Sequence, residues 1–250
     1  MLTFRGKMYF DGEANPADLR YFTWLVLLAQ LFGVMAVVLV AVWMGHFQNG
    51  FAWQSNPELE FNYHPLFMVI GMIFLYADGI LAYRVFRNDR KIYIKVLHAC
   101  MHAAALIFSA VGLKAVFDSH NLLGVANLYT LHSWVGLFTV VAFGLQWILG
   151  FTSYLIPVVG MAAKRFYMPY HRFWGSTLLA LAGATALMGI TEKAAWKLPD
   201  EWKARTTQAY IINFLGIFII AFIVLVIYLV TKPDYRRVPA PEEDHIQLAE

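Results

Sequence analysis

The sequence predicts an all-α polytopic membrane protein with six transmembrane helices and both termini in the cytoplasm. Three observations predict it. The chain is 60% hydrophobic and 14% charged over 250 residues. Its apolar residues gather into six blocks of roughly 20, the length a helix needs to cross ~30 Å of hydrocarbon. Its basic residues are distributed unevenly between the connecting segments. The blocks read as 22–45, 65–86, 97–117, 131–154, 171–193 and 209–231. They must be helices, because backbone amides in lipid are satisfied only within their own segment and no alternating barrel period is present.

Residues 1–21 form an N-terminal segment in which Arg5, Lys7 and Arg20 mix with Asp11, Glu13 and Asp18. That mixture is not a cleavable signal, so the first span is expected to act as an uncleaved anchor. With the N-terminus cytoplasmic, that side collects Arg5, Lys7, Arg20, Arg84, Arg87, Arg90, Lys91, Lys95, Lys164, Arg165, Arg172, Lys232, Arg236 and Arg237. These are fourteen of the 19 basic residues; Lys114, Lys193, Lys197, Lys203 and Arg205 remain outside. The positive-inside rule fixes the orientation. The formal net charge of +3 is therefore a topology signal. No basic face with readout motifs suggests nucleic acid. The one cysteine, Cys100, falls in the third span, so the chain has no internal disulfide and no Cys-rich metal motif.

The first span, from Phe22, has neither charge nor histidine and reads as peripheral. The loop from His46 to Tyr63 lacks Lys and Arg, as expected of a non-cytoplasmic segment, and His46 reads as solvated. Four histidines then follow, one near the start of each of the next four spans: His64, His98, His132 and His171. Each interval is about one helix plus one loop, so successive histidines alternate between faces. Topology pairs His64 with His132 outside and His98 with His171 inside. Pairing neighbours fails, because about 20 residues rising 1.5 Å each separate them by roughly 30 Å.

Ionisable side chains in membranes mark cofactors, ion paths or proton relays. Two imidazoles facing across a helix bundle suit haem iron with both axial positions filled, a closed centre that favours electron transfer. Zinc or copper would call for three or four protein ligands. His102 lies one turn beyond His98 on the same face, as a competing ligand or a hydrogen-bonding neighbour. Asp78 is the other intramembrane oddity, either tuning a cofactor, relaying a proton or pairing with a basic group such as Arg84.

Several segments carry a resemblance: FNYHPLFMVIG (61–71), ILAYRVFRN (80–88), KVLH (95–98), VFDSHN (116–121), ANLYTLHSWVG (126–136), MPYH (168–171) and ATALMGITEK (184–193). From Phe51 to about Pro239 the chain resembles the eukaryotic cytochrome b561 family of ascorbate-dependent transmembrane oxidoreductases. The resemblance implies a four-helix core from spans two to five and two non-covalent b haems with the pairing already derived. It implies cytosolic ascorbate on the surface of Lys91, Lys95 and Lys164, with Arg84, Lys91 and Arg236 near the inner haem propionates. Ascorbate is a monoanion at neutral pH, and a lysine cluster steers it. Lys164 stands where some of the family carry Arg, which removes a bidentate contact there. Simple anchoring remains the reading for Arg87, Arg90 and Arg165.

Outside, the resemblance makes Asn127, Leu128, Tyr129, Thr130 and Glu192 contacts of the outer haem. His120 resembles the position beside the acceptor, where it would carry a proton or touch a metal substrate. Trp196 and Trp202 in the last outer loop read as an interfacial belt. The tail 232–250, with His245, reads as disordered and solvated. The expected function is electron transfer from cytosolic ascorbate through two bis-histidine haems to monodehydroascorbate or to ferric or cupric ions. The setting is a secretory-vesicle, plasma or endolysosomal membrane, with membrane lipid around the chain and a homodimer as a candidate assembly. A haem-holding anchor for a partner dehydrogenase and a histidine-dependent proton-coupled transporter are the alternatives; neither broken helices nor inverted repeats support the latter.

Overall fold

The computed structural model describes residues 19–156 and 159–236. Arg5, Lys7, Asp11, Glu13, Asp18, Arg237 and His245 lie outside the described residues. Six helices are long and apolar enough to span a membrane: α1 Phe22–Phe47, α2 Pro57–Val85, α3 Lys91–Leu123, α4 Leu131–Leu155, α5 Met161–Lys197 and α6 Thr207–Thr231. Among the described residues there is no strand. An even number of spans returns the chain to one face, here called the terminal face; the other is the far face.

The helices overrun the apolar blocks. α3 begins at Lys91 and α5 at Met161, so His98 and His171 lie two turns or more inside their helices rather than at the starts. Backbone hydrogen bonding continues past the hydrocarbon because charged and aromatic side chains can still reach water from those turns. Past α6, a 3-10 turn at Pro233–Tyr235 buries the Tyr235 ring edge-on against Phe22, 4.9 Å between centroids.

α1 and α6 pack on each other beside the bundle. α1 buries Ala29, Gly33 and Ala36, a small-residue stripe that lets α6 approach with Leu215, Ile219 and Phe222. Its other side shows Trp24, Leu27, Leu31 and Val34, suited to lipid. α2 packs along α3, and α4 along α5. α2 contains a π-helical stretch, Val69–Leu75, whose extra residue per turn shifts the register between its two ends. There Gly71 meets α3 so closely that a Cβ would lie 2.9 Å from the Ala105 carbonyl. α3 stops at Gly124, which takes the left-handed conformation (φ 68°). α4 starts on a capping box, Thr130 Oγ1 accepting from Ser133 N while Ser133 Oγ accepts from Thr130 N.

Asp78 does not pair with Arg84. Its Oδ1 accepts from Gln30 Nε2 on α1 at 2.6 Å, while Arg84 Nη2 donates to the Val230 carbonyl on α6. Six residues along a helix bring two side chains to different faces, which is why the pair cannot form.

Two outcomes follow. Gln30→Leu leaves the Asp78 carboxyl without its donor and should lower stability by about 1–3 kcal/mol, read as a reduced thermal midpoint in detergent. Gly71→Val should cost about 1–3 kcal/mol by overpacking α2 on α3, whereas Gly160→Ala, with nothing within 4 Å of its added Cβ, should leave the midpoint unchanged.

Candidate functional site

Each face of the bundle holds a pair of facing imidazoles. At the far face His64 on α2 and His132 on α4 lie 6.1 Å apart between ring centroids, nearly perpendicular. At the terminal face His98 on α3 and His171 on α5 lie 6.2 Å apart. Two imidazoles on opposite sides of one metal ion, each bonded at about 2.0–2.1 Å, have ring centres roughly 6 Å apart, so either pair can accept a metal between them. Among the described residues no group of three or more His, Cys, Asp and Glu is arranged to hold a metal ion. A metal at either pair would take its remaining donors from a non-protein ligand, and a porphyrin supplies four.

Hydrogen bonds choose the nitrogen that faces inward. His64 Nδ1 lies 3.2 Å from the Gly112 carbonyl, His98 Nδ1 2.8 Å from that of Gly79, and His132 Nδ1 2.8 Å from that of Thr185. A carbonyl only accepts, so each Nδ1 carries the proton and each Nε2 presents a lone pair. This is the arrangement a ligating imidazole needs. His171 departs from it: its Nδ1 is buried without a partner, and Tyr154 and Tyr167 flank its ring at 5.4 and 5.7 Å. Its helix is held instead through its backbone carbonyl, which accepts from Gln146 Nε2 at 2.7 Å; Gln146 Oε1 in turn accepts from the Tyr167 hydroxyl.

Glycines make the room. A Cβ on Gly189 would stand 2.6 Å from His132, and one on Gly150 would stand 2.9 Å from His171. His132 and Gly150 are eighteen positions apart on α4, as are His171 and Gly189 on α5. Eighteen residues make five full turns and about 27 Å of rise. Each helix therefore offers a histidine at one end and a glycine seat at the other on the same face, and the antiparallel pair exchanges them. α2 and α3 reciprocate in a second way, since each histidine bonds the carbonyl of a glycine on the other helix.

His102 is 5% exposed, packed 4.3 Å from the His98 ring and against Tyr76 and Phe143. Its Nδ1 has no partner. His98 is the ring that faces His171 at bridging distance and has its Nδ1 bonded; His102 sits one turn deeper, in the aromatic packing between the two pairs. Cys100 is exposed.

At the far face a cavity of about 570 Å³ opens over the His64–His132 pair. Asn127, Leu128, Tyr129, Thr130, Glu192 and His120 all line it, together with Phe61 and Lys193. Leu128 has a positive φ of 55°, a conformation that costs a leucine about 1–3 kcal/mol. Tyr129 stacks on Trp196 at 5.9 Å, and Asn127 and Thr130 are fixed by His120 and Ser133. At the terminal face Lys95 Nζ donates to the Tyr154 carbonyl at 3.0 Å, and the Tyr154 hydroxyl donates to the Lys164 carbonyl at 3.3 Å. Lys95, Lys164 and the His171 ring thus meet around one tyrosine. Lys91 opens α3, half-buried. Arg84 Nε is buried without a partner, and Arg236 is exposed nearby and repels it electrostatically. Arg87 stacks on Phe22 at 4.5 Å. His46 is exposed.

Sequence reasoning passed over the glycine seats, Gln146, Tyr154, Phe61 and Lys193. The repeated eighteen-residue spacing of histidine to glycine on two successive spans was a readable signal for the first; the others depend on contacts across helices.

Residues 63–197 match the family model of eukaryotic cytochrome b561. A putative transmembrane ascorbate-dependent reductase CYB561 homolog of Caenorhabditis elegans is 40% identical over 237 residues, 91% of this chain and 89% of that protein. The transmembrane ascorbate-dependent reductase CYB561 of Homo sapiens is 39% identical, covering 95% and 92%. The lysosomal membrane ascorbate-dependent ferrireductase CYB561A3 of Danio rerio is 38% identical, covering 90% and 92%. With a family match across spans two to five and relatives of this identity along nearly the whole chain, the protein belongs to the eukaryotic cytochrome b561 family of haem-binding membrane oxidoreductases.

Proposed function

We propose that this protein carries electrons from cytosolic ascorbate through two bis-histidine b haems to an acceptor on the lumenal or extracellular side. The observation that carries the reading is the pair of facing imidazoles at each end of the bundle, with three of the four Nε2 atoms freed by a bonded Nδ1. Haem iron between such imidazoles supplies one-electron exchange without an open site for oxygen. The relatives' names, ascorbate-dependent reductase and ferrireductase, support the donor and leave the acceptor as monodehydroascorbate or ferric or cupric ions.

The chain's own residues have separable tasks. His98 and His171 hold the inner group and His64 and His132 the outer one. Gly79, Gly112 and Thr185 orient three of these rings through their carbonyls, and Gly150 and Gly189 leave the space two of them fill. The cytosolic side is the terminal face, by the distribution of basic residues. There Lys91, Lys95 and Lys164 attract the ascorbate monoanion, and Arg84, Lys91 and Arg236 meet the propionates. At the far face Asn127 to Thr130 and Glu192 enclose the outer group, and His120 serves the acceptor. Both chain ends are then cytosolic, in a secretory-vesicle, plasma or endolysosomal membrane, with a homodimer as the assembly to test.

The purified protein should show two low-spin haems per chain, reduced by ascorbate and reoxidised by ferric citrate or monodehydroascorbate; absence of haem discards the reading. Gly189→Ala should perturb or lose the outer haem alone and Gly150→Ala the inner one alone, resolved as separate components of a redox titration. Lys91→Gln with Lys95→Gln should slow reduction by ascorbate by about tenfold at low salt while sparing an uncharged donor; equal slowing of both donors would assign the lysines to structure.

A further inference from the structure

Lys193 is placed where no sequence pattern singled it out. It stands near the C-terminal end of α5, half-buried in the lining of the far-face cavity. Its Nζ lies 4.5 Å from the centroid of the Phe61 ring. That ring stacks on His120, at 6.2 Å and 19°, and lies 6.1 Å from the His64 ring. One aromatic side chain therefore holds the ammonium beside both the acceptor-side histidine and the imidazole pair.

No carboxylate forms an ion pair with Lys193 among the described residues. Glu58, Glu192 and Lys197 also line the cavity, so the protein places two charges of each sign there and their sum selects nothing. Position does. An aromatic face holds an ammonium without neutralising it. A cation half out of water, with Glu58 near it but in no ion-pair contact, attracts an anion entering toward His120 and repels a second cation. His120 is set for such a visitor. Asn127 Nδ2 donates to Asn121 Oδ1, which leaves Asn127 Oδ1 to accept from His120 Nδ1 at 3.2 Å, so Nε2 is the nitrogen free for a ligand.

We propose that Lys193 makes the far-face cavity selective for anionic electron acceptors, an organic radical anion or an anionic metal chelate rather than a bare metal cation. The proposal rests on the electron-transfer reading given above.

The test uses proteoliposomes of the full-length protein loaded with ascorbate, with impermeant acceptors added outside. Ferricyanide is the anionic probe and hexaammineruthenium(III) the cationic one; each gains one electron to become ferrocyanide or hexaammineruthenium(II), and neither takes a proton. Lys193→Gln should cut the rate with ferricyanide by about tenfold at low salt, flatten its salt dependence, and keep or raise the rate with hexaammineruthenium(III). Lys193→Arg should restore the anion preference, which separates charge from misfolding. Equal loss with both acceptors, accompanied by a shifted midpoint of the outer haem, overturns the proposal by assigning Lys193 to that group. Unchanged rates with both acceptors also overturn it. If the wild-type protein passes electrons to neither acceptor, the electron-transfer reading fails, and this inference with it.

Discussion

Everything in the bundle depends on what an imidazole needs when it leaves water. Each ring has one N–H that costs free energy if buried without an acceptor, and a membrane interior offers few acceptors except backbone carbonyls. A helical carbonyl has a second lone pair after serving its own turn. Gly79, Gly112 and Thr185 lend that lone pair to histidines on neighbouring helices. The helix pairs α2–α3 and α4–α5 must therefore approach within hydrogen-bonding reach at set heights. The same bonds that satisfy the N–H groups fix the register of the four-helix set.

Close approach is where the glycines enter. A ring standing over a helix needs a position without a Cβ, and the distances of 2.6 and 2.9 Å at Gly189 and Gly150 leave no space for one. Because histidine and glycine are separated by five full turns on both α4 and α5, one antiparallel contact seats rings at both ends. The two centres are thus not independent insertions in a bundle. They are two ends of one packing solution, and a slip of either helix by a single residue would rotate its histidine at one end and its glycine seat at the other by about 100°.

Much of this was legible from residue types and spacing. Six apolar blocks gave six spans, and alternation of faces brought His64 toward His132 and His98 toward His171, where the rings are found facing each other. What escaped is what depends on neighbours rather than on position along a helix. One of the three readings of Asp78 paired it with Arg84, six residues on, but Gln30 on α1 supplies its donor. The ends of α3 and α5 were drawn where apolar character stops, although a helix stops where its backbone bonds stop. Lys193 was read only as one of five basic residues left outside, because nothing in the sequence puts Phe61 beside it.

The region between the two pairs holds few groups able to carry a proton. Along α5 about 27 Å lies between the height of His171 and that of His132, close to the ~30 Å of the hydrocarbon itself. The ionisable groups within that depth are few and enclosed. His102 is wedged among Tyr76, Phe143 and His98, the Tyr76 hydroxyl is committed to the Gly175 carbonyl, and Asp78 is turned to α1 and Gln30. Among the described residues these three groups are not hydrogen-bonded to one another. On the reading proposed above, an acceptor at the far face that needs a proton would draw it locally, and His120, with Nδ1 bonded and the Nε2 lone pair open to the cavity, is placed to take one up from water and pass it on.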